Sequence, residues 1–388
     1  QGLSASLFDF PLAVRIENSD SGLKVFGNGR VSRTALQGWS MQPQFVENLL
    51  DFTSGEVAFN SELTVLSAEQ SDAIRSRLDI SSDLLGLSIE LPQPFDKSRD
   101  ENAGLALNFN FSDRLESLSL NFRDQLSAVL HFDQDELQSG VVNLGPQNED
   151  FSIRTLNDEP GLLINGNISD FNLQDWQDLA AGFADEGQSQ AKQMIRLVDV
   201  EIGNLHALGI DLPAVVTVLE PLDSGWSLYL ENEQIQGDII IPDEQTAPYE
   251  VQLSYLRLPR DEEEPATETD TTPAIAPEEE RDVLAAVNPA ELPAINFSTE
   301  EFSLGDGNLG AWSFQLRSNA NGANISDLRM QAGDAVITDR SGEGGASLDW
   351  QRINGVHQSS FNGLFAAGDL AEVLPSFGYG AVIQSESA

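Results

Sequence analysis

Histidine is the side chain best suited to proton transfer and metal binding near neutral pH. This chain has three: His131, His206 and His357. None stands in an HExxH or similar spacing, so no pair of metal ligands on one helix face is encoded. His131 and His206 follow apolar residues in runs that read as strands or turns, the usual setting of a structural histidine. Cysteine is absent, which removes disulfides, thiolate metal sites and thiol nucleophiles. No GxSxG elbow and no P-loop occurs. Gly27-Asn28-Gly29 has no third glycine in place and no helix after it, so it reads as a turn. Gly305-Asp306-Gly307-Asn308 has the residue types of a calcium loop but lacks the repeat such loops need, and reads as a hairpin turn. A carboxylate pair such as Asp133 and Asp135 has the right chemistry for glycoside hydrolysis. Among 63 Asp and Glu residues, however, such neighbours arise by chance. Twenty of the aromatic residues are Phe, which packs in cores or against lipid, whereas sugar platforms favour Trp and Tyr. Trp39, Trp176, Trp226, Trp312 and Trp350 are scattered. The residues point away from an enzyme, and they call for no cofactor and no metal.

The charge narrows the partners. Against 63 acids stand 20 Lys and Arg, for a formal charge of -43 over 388 residues. A nucleic acid needs basic residues on its phosphates, so it is not an expected partner. An anionic membrane surface would repel most of the body. The plain reading is a strongly solvated outer surface. Only Lys24, Lys97 and Lys192 are lysines, and many acids with few lysines suit salty surroundings. No run approaches the roughly 18 apolar residues that span a bilayer. The chain opens at Gln1 without a basic-then-apolar signal segment, and reads as a piece of something longer.

The elements that would position any site are mostly strands. Leu105, Leu107, Phe109 and Phe111 alternate with Ala106, Asn108 and Asn110, the period of a strand with one apolar face. Leu118, Leu120 and Phe122 follow the same rule, as do Leu87, Ile89 and Leu91. Further along come Trp226, Leu228 and Leu230, then Val251, Leu253 and Tyr255, then Trp312, Phe314 and Leu316. Gly145-Pro146, Asn165-Gly166 and Asn321-Gly322 read as turns between runs. Helical patterns are few and short: 43–52, 174–183, 188–200 and 370–377. The expected fold is mainly β: an elongated, curved antiparallel sheet, groove-like or repeat-like, with a few short helices. Residues 259–292 break the pattern with Asp261-Glu262-Glu263-Glu264, a Thr/Pro/Ala-rich middle and Glu278-Glu279-Glu280. They cannot bury enough apolar surface to offset ordering, and read as a flexible linker between β-rich segments 1–258 and 293–388. Ile164-Asn165-Gly166 with Asp170, and Phe361-Asn362-Gly363 with Asp369, suggest one supersecondary unit used twice.

Residues 82–97 run Ser-Asp-Leu-Leu-Gly-Leu-Ser-Ile-Glu-Leu-Pro-Gln-Pro-Phe-Asp-Lys. The strand should end at Leu91, because Pro92 and Pro94 cannot donate to a ladder. This segment resembles a recurring one of the YhdP and AsmA-like bacterial envelope proteins. Residues 163–179 are similar to that family's glycine unit followed by Asp-x-x-x-x-Trp. Residues 292–383 are similar through Leu292-Pro293-Ala294-Ile295, Phe302, Leu309-Gly310, Leu328, Leu348-Asp349-Trp350, Gly363 and Phe377-Gly378-Tyr379. The resemblance implies the periplasmic body of a protein anchored in the inner membrane by a segment not in this sequence. It also implies a curved β-groove, contact with the outer membrane or envelope proteins, and phospholipid as cargo. The expected lining of an acyl-chain groove is Leu105, Leu107, Phe109, Phe111, Leu118, Leu120 and Phe122. The alternative is that these side chains fill the closed core of a non-catalytic structural or interaction module.

Overall fold

The computed structural model describes residues 2–7, 10–19, 22–37, 50–66, 74–123, 125–134, 136–146, 160–181, 192, 194–207, 210–244, 246–259, 287–353 and 356–368. The chain divides into two compact units, Gln1–Pro221 and Leu222–Ala388.

In the first unit, strands β1 (Gly2–Leu7), β2 (Phe10–Ser19) and β3 (Gly22–Ser32) lead to a short helix, α1 (Arg33–Gln37). Then come β4 (Thr53–Leu66), β5 (Ser76–Ser82), β6 (Leu87–Ile89), β7 (Leu105–Phe111) and β8 (Leu115–Phe122). The unit continues with β9 (Leu126–Asp133), β10 (Glu136–Leu144), β11 (Gly161–Asn172), helix α2 (Leu173–Ala181), β12 (Ile195–Ala207) and β13 (Ile210–Leu222). From β1 to β5 each strand pairs antiparallel with the next, and β5 then pairs with β7. Antiparallel pairing continues through β8 and β9 to β10. The ladder turns parallel at β10–β11 and β11–β12 and reverts to antiparallel at β12–β13. β6 stands apart and pairs with the first residues of β4.

The second unit runs β14 (Gly225–Glu231), β15 (Ile235–Pro242) and β16 (Tyr249–Leu258), then a 3-10 turn at Pro289–Glu291. β17 (Ile295–Leu304), β18 (Gly307–Asn308), β19 (Ala311–Asn319) and β20 (Gly322–Ala332) follow. The last strands are β21 (Ala335–Thr338), β22 (Ala346–Ile353), β23 (Val356–Asn362) and β24 (Leu364–Ala366). β16 and β17 are parallel; the other pairings of this unit are antiparallel. Phe297 of β17 and Phe314 of β19 face each other directly, with ring centroids 4.8 Å apart. Met330, Ala335 and Ala367 form a buried cluster that Trp312, Ile337 and Phe365 flank.

The fold is thus mainly β with few helices, as the alternation predicts. It is a mixed sheet and not a purely antiparallel one. Parallel neighbours need a crossover connection, and each parallel step here follows a long link, of which the strand pattern marks only 259–292. Three local readings are corrected. Residues 188–200 are not one helix: from Ile195 onward the chain is β12, because Val198, Val200 and Ile202 are β-branched and alternate at period two. Asn165-Gly166 lies inside β11 and Gly27-Asn28-Gly29 inside β3; neither is a turn. Asn321, by contrast, closes the β19–β20 hairpin, and Gly305-Asp306 the β17–β18 turn. The helix expected at 174–183 is α2. Of the helix expected at 43–52 only 50–52 are described, and 370–377 lies outside the described residues. So does most of 259–292; at its described end Pro289 is fully buried in the 3-10 turn.

Candidate functional site

The seven lining candidates fall on one face of β7 and β8. Leu105 sits opposite Phe122, Leu107 opposite Leu120 and Phe109 opposite Leu118. The Phe109 and Phe111 rings stack with centroids 6.3 Å apart. The same face continues on both sides. Through β5, β4 and β3 it carries Ile80, Leu78, Leu63 and Val25. Through β9, β10 and β11 it carries Leu130, Ala128, Val142 and Ile164. Strict alternation keeps this apolar set together across the sheet, because neighbouring residues point to opposite faces.

Over β4, β5, β7 and β8 the other face is polar and held by side-chain bonds between strands, while across β9, β10 and β11 it carries Val129, Val141 and Leu163. Glu62 and Asp79 are direct cross-strand neighbours, an arrangement that like charge disfavours. Each carboxylate has its own donor: Lys24 Nζ to Glu62 at 2.5 Å and Asn108 Nδ2 to Asp79 at 2.5 Å. Asn110 donates to Ser117 Oγ at 3.0 Å and accepts from Arg77 Nε at 3.2 Å. The asparagines that interrupt the apolar run therefore lace the solvent side of the sheet.

The two ends of the strands differ. At one end the register aligns Val31 with Val57, and Leu105 with Phe122 and then Leu126. Here Val57 is 6% exposed and Phe122 9%. They are covered by the excursion between β5 and β7, whose Leu84 and Ala103 complete a buried cluster with Leu87 and Ile89 packed on it. At the other end the register aligns Leu23, Val65, Ser76 and Phe111. Leu23 is 39% exposed there and Val65 41%.

The covering excursion is the segment 82–97 with the residues after it. Its strand β6 ends at Ile89, before the prolines. Lys97 is 2% exposed, and its ammonium donates to the carbonyls of Leu87 at 2.7 Å and Ser98 at 2.9 Å. Burial pulls its pKa below the ordinary 10.5, with the nearby Glu101 carboxylate opposing that pull. Arg123 pairs with Glu101 at 2.7 Å and donates to the Asp96 carbonyl at 3.0 Å, tying β8 to the cap. The 163–179 segment reaches the same place. Trp176 of α2 stacks on Phe171 of β11, centroids 5.7 Å apart, and Phe95 meets the indole edge-on at 6.0 Å. The Pro-rich turn and the Trp helix, far apart in sequence, form one cap. Nothing in the sequence pattern couples Phe95 to Trp176.

A family model described as YhdP protein matches residues 1–388. The chain belongs to the YhdP family. Neither the comparison with curated proteins nor that with solved structures gives a match. Membership makes this a bacterial envelope protein and is compatible with a transport role for a YhdP chain. Against that background the three histidines are dispersed: His131 on β9, His206 on β12 and His357 on β23. His206 bonds Asp211 across the β12–β13 turn at 2.6 Å, and His357 accepts from the Trp350 indole at 2.9 Å. Asp133 ends β9, and Asp135 lies outside the described residues. Among the described residues no group of three metal-ligating side chains is placed to hold an ion, and no helix is long and apolar enough to cross a membrane.

Proposed function

We propose that this YhdP segment holds phospholipid acyl chains on the apolar sheet face of its first unit, within the periplasmic body of an inner-membrane-anchored protein that passes phospholipid towards the outer membrane. The observation that carries the reading is the apolar face itself. A sheet with one apolar face must cover it with something. Among the described residues the buried cluster on this face lies at one strand end and Leu118 and Ala128 are buried between the ends, while Leu23 and Val65 at the other end stay about two-fifths exposed. Moving an acyl chain through water costs about 0.8 kcal/mol per CH₂. Two tails therefore face a barrier on the order of 20 kcal/mol by the same increment. A continuous apolar face lowers that barrier, and because its contacts are non-directional, lipid can slide without any residue being chemically essential. No catalytic step is part of this reading.

The test is to purify the folded chain from bacteria, extract it with organic solvent and quantify phospholipid by mass spectrometry. The expected result is bound phospholipid, lost in a Phe109→Asp/Phe111→Asp variant whose circular dichroism is unchanged. A lipid-free wild-type chain that also takes up no phospholipid from vesicles would instead favour a closed-core structural module.

A further inference from the structure

Resting on that reading, we infer that the bound lipid has a fixed orientation: its acyl chains lie along the strands, methyl ends at the capped end and headgroup leaving over the opposite one. Three observations lead there. First, the apolar positions of β7 run from Leu105 to Phe111, a span of about 20 Å at ~3.4 Å per residue. The hydrocarbon core of a bilayer is about 30 Å thick, so one leaflet takes about half of that. The strand thus exceeds that half-thickness by roughly 5 Å, so one acyl chain can lie along it. Second, the capped end is sealed. Leu84 and Ala103 bury the Val57 and Phe122 side chains there; Lys97 braces the cap through the cap's own Leu87 and Ser98 carbonyls, and Arg123 beside β8 donates to its Asp96 carbonyl. A headgroup at that end would lose its hydration against the apolar cluster, whereas a methyl terminus simply abuts it. Third, the opposite end stays in water: Leu23 is 39% exposed and Val65 41%, so a headgroup placed there keeps its hydration.

The test places a photoreactive benzophenone amino acid at Leu105 or Leu120 for the capped side, and at Phe111 or Leu23 for the open side. Each full chain is loaded with dipalmitoyl phosphatidylethanolamine and irradiated, and adducts are mapped along the lipid by tandem mass spectrometry. Capped-side probes are expected to enrich adducts on the last acyl carbons severalfold over the first ones, and open-side probes to do the reverse. Leu23 is exposed, so its variant tests the open side even if the Leu105 variant misfolds. Equal adduct profiles at both ends, or a reversed order, overturn the orientation while leaving acyl-chain binding intact. No lipid adduct at any of the four positions overturns the binding reading itself, and the orientation with it.

Discussion

A methyl group on Gly166 would stand 2.1 Å from the Leu144 carbonyl oxygen, and the residue has φ of +124°. Both facts belong to the parallel β10–β11 pairing, where Leu144 lies directly opposite Gly166. Only glycine takes this conformation and lets the backbones approach so closely. Gly166→Ala should therefore lower the unfolding free energy by about 2 kcal/mol or more, the scale of strained non-glycine backbone plus a clash with backbone that cannot move aside. Urea denaturation reads the change, and an unaltered midpoint would refute the close approach. Lys97 makes a different residue-scale case. Its folded pKa lies below 10.5 because burial penalises the ammonium. Between the folded and unfolded values the unfolded chain binds more protons, so stability must rise with pH across that window. Below the window the full cost of the buried charge is present. A Lys97→Met chain lacks this term. The stability difference, wild type minus variant, is expected to grow as pH climbs towards 10.5, and a flat difference would show that Lys97 keeps an ordinary pKa.

At the scale of elements, the cap is where two parts of the chain are coupled. Edge-to-face aromatic pairs contribute about 0.5–1.5 kcal/mol beyond their burial. A double-mutant cycle on Phe95→Leu and Trp176→Leu should return a coupling of about that size. Additive effects would mean that the Pro-rich turn and α2 are held to the sheet independently. Strands were the legible part of this protein. β7, β8, β14, β16 and β19 stand in the sequence as alternating runs, since a half-buried strand writes its two faces directly into the residue order. β12 was less legible, because Met194, Leu197 and Val198 satisfy helical spacing until the β-branched Val200 and Ile202 are counted with them. Parallel steps are set by the length and path of links, which leave no periodic mark. The same division applies to the candidate site. Its apolar face could be read from alternation, and the seven proposed residues do share it. Its closed end could not, since that depends on Leu84 and Ala103 meeting Val57 and Phe122, and on Phe95 meeting Trp176, across separate segments.

For the molecule as a whole, the -43 charge is the dominant electrostatic fact. Residues 260–286 carry ten of the acids against Arg260 and Arg281, so most of the excess belongs to the rest of the chain. The ion pairs there are largely exposed, as at Arg30–Glu56, Arg75–Asp113 and Arg257–Glu301, and exposed pairs contribute little each. They cannot offset repulsion among so many unpaired carboxylates. Such repulsion acts over the Debye length, about 30 Å at 0.01 M salt and 10 Å at 0.1 M. At low salt the acids of neighbouring strands therefore feel one another across each unit, and the folded state carries them closer together than the unfolded one does. Sodium chloride raised from about 0.01 M to about 0.5 M should lift the thermal midpoint by several degrees, with most of the gain before the Debye length falls below ~10 Å. Lipid binding should strengthen over the same range, since screening removes the repulsion of an anionic headgroup while leaving the apolar contact untouched. A zwitterionic phospholipid separates the two effects: its binding should depend on salt only as far as folding does. A midpoint independent of salt would mean that the outer faces already space their carboxylates widely enough, and would remove the argument that this chain is suited to salty surroundings.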